Sequence, residues 1–196
     1  MTLYIFDMGG VVAYDTDVFP SVFNHLNITA EKFYGFAGSS LERLSDGEIS
    51  TDDFWRRFSS RFGKKVTEDL FAKFFKPRLD IKVVAIIEQL KGSARVICGT
   101  NTFDPHYDYL KLGGYYGLFD AVYASNKMGV SKPHQDFYRY ILKSERVKPE
   151  DTVFIDDTEE NVISAEKLGI RSIWFKNAVA LRSDIERHLN QKTLDD

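Results

Sequence analysis

The chain has 196 residues, of which 43% are hydrophobic and 28% are charged. This balance is typical of a folded globular protein and excludes a disordered chain or a membrane-embedded one. The formal net charge of -3 at pH 7 argues against a general nucleic-acid binder, which normally carries a basic face, and favours a small molecule as the ligand.

The sequence contains no visible targeting or anchoring segment. The first predicted strand begins almost at once, which leaves no room for a signal sequence, and no apolar run approaches the length of a membrane span. The one cysteine, Cys98, cannot form an internal disulfide, which is typical of a reducing compartment. We therefore expect a cytoplasmic protein without membrane or nucleic-acid partners, in which Cys98 is a small core residue and not a catalytic thiol.

The chain opens with a short apolar run, Leu-Tyr-Ile-Phe, that ends at Asp7. Such a run is typical of a strand buried on both faces of a parallel sheet. Residues 16–78 then carry no strand signal. They contain instead two aromatic stripes at helical spacing, Phe54, Phe58 and Phe62 and then Leu70, Phe71, Phe74 and Phe75. We interpret these stripes as the core of a helical segment and not as a substrate-binding surface.

After residue 80, apolar runs alternate with helical patterns. Predicted strands cover residues 94–98, 121–123, 152–155 and 171–175, and predicted helices cover residues 83–90, 105–112, 134–145, 159–168 and 181–189. Gly92 is expected to end the first of these helices, and Pro133 is expected to begin the third. The alternation predicts an α/β fold with a doubly wound parallel sheet, covered by helices on both faces.

Polar residues follow three of the predicted strands: Asp7, Thr100 and the pair Asp156 and Asp157. In open parallel sheets the carboxyl ends of the strands border the crevice in which ligands bind. Carboxylates that converge there repel one another, and a divalent cation or a lysine relieves the repulsion. The alternative is that each acid only caps the turn or helix that follows it.

A loop at residues 129–133, Gly-Val-Ser-Lys-Pro, adds Lys132 to this pattern. Asp7, Thr100, Lys132 and the Asp156-Asp157 pair resemble, in chain order, the four motifs of the haloacid dehalogenase-like hydrolase superfamily. The first motif, Phe-Asp-Met-Gly-Gly-Val, is similar to a branch that includes sugar-phosphate phosphatases. The resemblance implies a Rossmann-like core formed by residues 1–15 and 79–196, with residues 16–78 as an inserted helical cap domain.

The resemblance also implies an activity. It is that of a phosphatase that hydrolyses a small phosphorylated metabolite, such as a sugar 1-phosphate, through a phosphorylated aspartate. Asp7 would be the nucleophile, because a carboxylate can attack phosphorus and divide a difficult hydrolysis into two easier steps. Thr100, Asn101 and Lys132 would bind the phosphoryl oxygens.

A magnesium ion is the implied cofactor, because an anionic nucleophile must approach an anionic phosphate. The ligands implied by the resemblance are Asp7, the backbone oxygen of Gly9, Asp156 and Asp157, the last either directly or through water. The oligomeric state and the identity of the substrate are left open by the sequence.

Gly9 is a departure from the family pattern. Most phosphatases of this superfamily have a second aspartate two residues after the nucleophile, which protonates the leaving oxygen and activates the attacking water. With Gly9 in that position, the chain is either an enzyme for easier leaving groups, an enzyme with a substitute acid, or a phosphate-binding protein without turnover. Asp15 and Asp17 are the first candidates for a substitute acid, although both are more simply residues of a hinge.

Two other activities of the same fold are less favoured. A carbon-halogen hydrolase needs no cation, and the adjacent acids Asp156 and Asp157 would repel its carboxylate substrate. A phosphomutase needs an acid-base group that Gly9 cannot provide. Of the residues outside the motifs, His106 is predicted to be a solvated loop residue, and Glu42 and Arg43 are expected to lie on the cap away from the substrate.

Overall fold

Five parallel strands form the central sheet in the computed structural model, which describes residues 2–195 and, in the last helix, side chains as far as residue 187. These strands are β1 (Leu3–Phe6), β4 (Arg95–Thr100), β5 (Ala121–Ala124), β6 (Thr152–Asp156) and β7 (Arg171–Trp174). They lie in the order β5-β4-β1-β6-β7. Two shorter strands, β2 (Ala13–Tyr14) and β3 (Arg78–Leu79), pair with each other in a separate antiparallel sheet.

Eleven helices accompany these strands in the described part of the chain. The first five lie between β2 and β3: α1 (Phe19–Leu26), α2 (Ala30–Ala37), α3 (Ser40–Ser45), α4 (Thr51–Phe62) and α5 (Leu70–Phe74). The others follow β3: α6 (Ile81–Lys91), α7 (Asp104–Leu112), α8 (Ser125–Met128), α9 (Gln135–Glu145), α10 (Glu159–Glu166) and α11 (Ala178–Asp195). None of the described helices is both long enough and apolar enough to cross a membrane.

Both faces of the central sheet are covered by helices. Along β1, Leu3 and Ile5 pack on one face in a cluster that includes Phe137 of α9, whereas Tyr4 and Phe6 pack on the other face. This alternation follows from the two-residue repeat of a strand. The predicted doubly wound parallel sheet is therefore confirmed, and all five of its strands were predicted from the sequence. The side chain of Leu189, at the end of the last predicted helix, lies outside the described residues.

The segment between β2 and β3 is held together by aromatic side chains. Phe33, Phe54, Phe58 and Phe71 are buried, and the rings of Trp55 and Phe71 have centroids 4.5 Å apart. Aromatic pairs of this kind add about 0.5–1.5 kcal/mol beyond the area that they bury. The aromatic stripes of the sequence therefore pack as a core, as expected. The division into two domains, residues 1–15 with 79–196 and residues 16–78, stays a prediction.

The two junctions of this helical segment lie side by side. β2 and β3 pair there, with Tyr14 opposite Arg78. The guanidinium of Arg78 donates from Nε to Asp15 Oδ2 over 2.8 Å. The predicted hinge residues, 15–17 and 76–78, adjoin this pair. The strands themselves were not predicted, because a two-residue strand is too short to show any periodicity.

Pro133 does not begin a helix, contrary to the sequence prediction. It lies in a turn in which the backbone N–H of His134 donates to the carbonyl of Ser131 over 3.0 Å. α9 begins two residues later, at Gln135, and His134 is its N-cap residue. The Nδ1 atom of His134 accepts from the backbone N–H of Asp136 over 3.3 Å, so the cap comes from a side chain and not from the proline.

The sequence prediction for His106 was also wrong. His106 lies in α7 and is only 8% exposed. Its ring stacks on that of Phe75 at 3.9 Å between centroids, and its Nε2 lies 3.1 Å from the carbonyl oxygen of Phe71. Burial lowers the pKa of His106 to about 4, although the Phe71 carbonyl opposes this. A contact between two elements remote in sequence produces this burial, and local pattern contains no signal for it.

His106 should make the protein less stable in mild acid. In the unfolded chain, His106 is protonated near its ordinary pKa of 6.5. In the folded protein, it is protonated only near pH 4. Stability is therefore present above pH 6.5 and is lost as the pH falls toward 4. At pH 5 we expect a loss of about 2 kcal/mol from this group alone.

A comparison of the wild type with His106→Gln isolates this effect. Urea unfolding at pH 8 and pH 5 should give a smaller acid loss in the variant, because glutamine keeps a donor but has no proton to gain. The other titrating groups contribute equally to both proteins and cancel in the difference. An identical pH dependence in the two proteins would contradict a buried, neutral His106.

Gly47 should tolerate no side chain, because it lies against the backbone of α8. Its φ is +70°, and a Cβ atom there would lie 2.3 Å from the carbonyl oxygen of Asn126 in α8. Gly63 is a matched control: its φ is +61°, and a Cβ atom would meet nothing within 4 Å. Gly63→Ala should cost about 1–2 kcal/mol through the positive φ alone, and Gly47→Ala about 1–3 kcal/mol more through the clash. If urea unfolding shows equal losses of stability in the two variants, α8 moves away from the new methyl group without an energetic penalty.

Candidate active site

The register of the central sheet brings the sequence-predicted acids together. In β1, Phe6 lies opposite Ile155 of β6 and opposite Cys98 of β4. Asp7 therefore follows β1 beside Asp156, the last residue of β6, while Thr100 closes β4 on the other side. The backbone N–H of Asp7 continues the ladder by donating to the Ile155 carbonyl over 2.9 Å. The acids of the two strand ends are neighbours because the strands are parallel and adjacent.

The ammonium group of Lys132 lies between two of these carboxylates. Its Nζ is 3.0 Å from Asp7 Oδ1 and 2.7 Å from Asp156 Oδ2. It also donates to the carbonyl oxygen of Gly99 over 3.0 Å. The Lys132 side chain is 1% exposed and that of Asp156 is fully buried. Three acceptors therefore surround a cation that has almost no access to water.

The loop that carries Lys132 is fixed by the side chain of Asn101. The Asn101 amide donates to the Lys132 carbonyl over 2.8 Å, and its oxygen accepts from the Lys132 backbone N–H over 2.8 Å. These two hydrogen bonds connect the residue that follows β4 to the loop that carries Lys132. In this structure Asn101 is a brace for Lys132, and the sequence had singled it out only as a phosphate ligand.

Asp156 has a further partner that the sequence analysis missed. Asn161 of α10 lies 3.0 Å from Asp156 Oδ1 through its amide nitrogen, and the backbone N–H of Thr158 donates to the same oxygen over 2.8 Å. Tyr138 donates to the carbonyl of Asn161 over 2.8 Å. The available signal was an asparagine beside the apolar residues of a predicted helix, since a buried amide needs partners.

The pKa values of the site reflect burial first. Burial raises the pKa of Asp7, and the nearby Asp156 carboxylate raises it further, while Lys132 opposes both. Burial by itself would lower the pKa of Lys132, but the Asp7 and Asp156 carboxylates together raise it. Burial also raises the pKa of Asp157, which has Asp156 as its neighbour. Lys132 therefore stays protonated. A nearby cation would stabilise the ionised forms of the neighbouring carboxylates.

Three carboxylates form a potential cation site. Asp7, Asp156 and Asp157 each offer an oxygen, and these oxygens lie within 4.8 Å of one another. Lys132 supplies one positive charge against their three negative charges, so the ionised cluster is anionic. Hard oxygen donors with unbalanced negative charge are the ligands that Mg²⁺ prefers. The residues present therefore fit a magnesium ion.

Gly9 and Gly10, which follow Asp7 closely in the chain, lie against different side chains. Gly10 has a φ of +76°, and a Cβ atom there would lie 2.1 Å from Asp157 Oδ2. At Gly9 a Cβ atom would lie 3.2 Å from the Thr16 hydroxyl oxygen. Thr16 thus occupies the space next to position 9, where the resemblance to the superfamily would place an acid. The sequence analysis had no means to find this contact.

Thr100 and Cys98 are buried on β4. Thr100 is 3% exposed, and its hydroxyl donates to the carbonyl of Asn101 over 3.3 Å. Cys98 is fully buried, and burial raises the pKa of its thiol. The thiol therefore stays protonated, and its position fits the prediction that it is a small core residue.

The two candidate substitute acids are exposed and have partners outside the cluster around Lys132. Asp15 is paired with Arg78 beside β2, and Asp17 Oδ1 accepts from the backbone N–H of Phe19 over 3.0 Å. Arg43 Nε lies 2.9 Å from Glu48 Oε2.

A cavity of about 620 Å³ adjoins the site. On the core side it is lined by residues of the loops after β4 and around Lys132, and on the other side by α1 and α3 of the helical segment. The lining residues are Thr16, Val18, Phe19, Leu41, Glu42, Ser45, Asn101, Thr102, Phe103, His106, Ser131, Lys132, Pro133 and His134. Glu42 thus borders the cavity, contrary to its expected place on the outside of the cap.

The chain is similar in sequence to proteins of known activity. A sesquiterpene phosphatase of Aspergillus oryzae is 30% identical over 187 residues, which cover 90% of this chain and 90% of the relative. A drimenol cyclase of Aspergillus calidoustus is 32% identical over 152 residues, covering 73% of this chain. The chain spans only 28% of that second relative's length.

A solved structure shares the fold. An enzyme of the same superfamily from Bacteroides thetaiotaomicron, in complex with magnesium and inorganic phosphate, superposes with a TM-score of 0.72 at 21% identity, covering 90% of this chain and 94% of that one. The family model for haloacid dehalogenase-like hydrolases matches residues 4–175, a range that contains every residue of the cluster around Lys132. The chain belongs to the haloacid dehalogenase-like hydrolase family.

Proposed function

We propose that the protein is a Mg²⁺-dependent phosphatase that hydrolyses a small phosphorylated metabolite through a phosphorylated Asp7. The observation that carries this proposal is the buried Lys132 ammonium between Asp7 and Asp156, at 3.0 and 2.7 Å. A carboxylate held beside a cation at a strand end is suited to attack an anionic phosphorus centre. The sesquiterpene phosphatase and the magnesium- and phosphate-bound relative are consistent with it.

The metal would be held by Asp7, Asp156, Asp157 and the backbone oxygen of Gly9. When bound, Mg²⁺ would offset the negative charge of the acids and of the phosphoryl oxygens and polarise the phosphorus centre. Lys132 contributes the second positive charge, which stays in place because Asn101 fixes its loop.

The chemistry proceeds in two steps. An oxygen of the Asp7 carboxylate attacks phosphorus, a P–O bond forms, and the bond to the leaving oxygen breaks with its electron pair on that oxygen. The leaving oxygen then takes a proton from water. In the second step, water attacks the phosphorus of the phosphorylated aspartate, its proton passes to solvent, and inorganic phosphate leaves with the Asp7 carboxylate restored. Thr100 would bind the phosphoryl oxygens with Lys132, and Asn101, whose side chain is engaged by the Lys132 backbone, would contribute its backbone N–H.

Gly9 keeps the non-catalytic alternative open, in which the chain binds phosphate without turnover. Both steps above lack the aspartate that would protonate the leaving oxygen and activate the water, and Thr16 occupies the neighbouring space. A threonine hydroxyl is too weak an acid to replace it. Loss of one acid-base group costs on the order of 10²- to 10⁴-fold in rate, which slows hydrolysis without preventing it.

The first prediction for this site concerns the metal and the nucleophile. Hydrolysis of 4-nitrophenyl phosphate should need Mg²⁺ and stop in excess chelator. Asp7→Asn should reduce it to background, while Asp136→Asn, a change of the same kind on the surface of α9, should leave it unchanged. Because the residue that would activate water is missing, the phosphorylated enzyme should accumulate, and acid quenching should leave labelled phosphate on Asp7.

Full turnover in chelator would exclude this mechanism. Label on Asp7 without turnover would favour the phosphate-binding alternative. No label on Asp7 and no burst of product, with turnover present, would mean that formation of the intermediate is the slow step or that another group activates the water.

The second prediction concerns the leaving group. Without an acid at position 9, the departing oxygen carries more negative charge in the transition state, so leaving groups of low pKa are favoured. The value of kcat/KM should therefore be higher for aryl phosphates and for glucose 1-phosphate than for glucose 6-phosphate, by more than the ratio of their uncatalysed rates. An equal or reversed order between the two glucose esters would mean that another group protonates the leaving oxygen.

A further inference from the structure

We propose that the leaving group of the substrate is predominantly apolar, so that the protein hydrolyses monophosphate esters of hydrocarbon-like alcohols. This inference rests on the proposed phosphatase function and adds the substrate class to it. The cavity beside Lys132 has about 620 Å³ of space, far more than a phosphoryl group fills. The side chains that line the cavity determine which leaving group fits the space that the phosphoryl group leaves.

Apolar side chains line the cavity on both sides. From the helical segment come Val18, Phe19 and Leu41, and from the core come Phe103 and Pro133. Val18 is 2% exposed, and Phe19 is held by ring contacts that include Phe71 at 6.0 Å between centroids. Packing fixes these side chains, so they form a lasting apolar part of the cavity wall.

Several polar groups at the cavity already have partners inside the protein. Ser45 Oγ lies 3.2 Å from Ser125 Oγ, and the Asn101 side chain is used at both ends by the Lys132 backbone. His106 Nε2 lies 3.1 Å from the Phe71 carbonyl, and the Thr102 hydroxyl donates to the Phe103 carbonyl over 3.4 Å.

A sugar would bury several hydroxyls against these walls and find few bonds for them. A buried hydroxyl without a hydrogen-bond partner weakens binding, whereas a hydrocarbon chain has no hydrogen bond to lose there. The walls therefore select against a polyol and for an apolar leaving group.

The charges of the cavity limit the ligand to one phosphate. Lys132 is the one lysine or arginine among the described lining residues, and Asp7 and Asp156 already hold it. The helical segment contributes Glu42 instead, which is anionic. A second phosphate would therefore meet no cation, so a diphosphate of the same alcohol should bind no more tightly than the monophosphate.

Straight-chain alkylphosphonates separate this inference from the chemistry. Their carbon-phosphorus bond is not hydrolysed, and their head group is the same for every chain length. We expect the inhibition constant against 4-nitrophenyl phosphate to fall about two- to fourfold for each added methylene from butyl to decyl, since each buried methylene contributes about 0.8 kcal/mol at most. Concentrations stay below those at which the longer chains form micelles.

A matched pair of variants tests the walls. Leu41→Ser places a hydroxyl in the cavity and should flatten the dependence on chain length. Leu112→Ser makes the same change at a residue that is 88% exposed on α7, away from the cavity, and should keep the wild-type dependence. Thermal unfolding of both variants confirms that they are folded.

The outcomes are distinct. A constant that does not change with chain length, or glucose phosphates that inhibit better than decylphosphonate, would overturn the apolar leaving group while leaving the phosphatase in place. Tighter binding of decyl diphosphate than of decyl phosphate would overturn the limit to one phosphate. If no phosphate ester is hydrolysed, the proposed function fails, and calorimetric binding of the same phosphonates still decides the substrate class.

Discussion

The site depends on one interaction, the ammonium of Lys132 held between the Asp7 and Asp156 carboxylates and the Gly99 carbonyl. Taking these charges out of water is expensive, and their mutual attraction repays the cost only when the geometry is well satisfied. Asn161 donates to the Asp156 carboxylate, and Asn101 fixes the backbone that carries the lysine. Loss of the lysine alone would leave two buried carboxylates facing each other, a change that typically costs about 3–5 kcal/mol. The lysine is thus a structural and an electrostatic part of the site at once.

The sequence predicts the residues on strands better than those that support them. Asp7, Thr100 and Asp156 were found because each ends a short apolar run, and parallel strands must present those ends at one edge of the sheet. Lys132 was found through the order of the motifs. Asn161 and Thr16 were missed, since their partners lie in contacts between elements that are distant in sequence. His106 was placed wrongly for the same reason: its burial comes from Phe71 and Phe75, not from its neighbours in α7.

Under the proposed function, the helical segment and the core place two separate requirements on the substrate. Gly9 would make the rate sensitive to the pKa of the leaving oxygen, because charge develops on that oxygen in the transition state. Phe19 and Leu41 would make the affinity sensitive to the apolar surface of the leaving group, because binding removes that surface from water. Neither requirement depends on the other, because one is set two residues after the nucleophile and the other by side chains of α1 and α3. An apolar alcohol of low pKa, such as a phenol, meets both.

The lack of an acid at position 9 is related to the position of the Thr16 side chain. An aspartate at position 9 would begin with a Cβ atom 3.2 Å from the Thr16 hydroxyl, tighter than ordinary van der Waals contact. Thr16 in turn is placed by the junction at β2, where the chain leaves the core for the helical segment, and it borders the cavity. An aspartate restored at position 9 would therefore need the Thr16 side chain to move by a few tenths of an ångström. Thr16 lies where the chain enters the helical segment, so that entry and an acid at position 9 would compete for the same space.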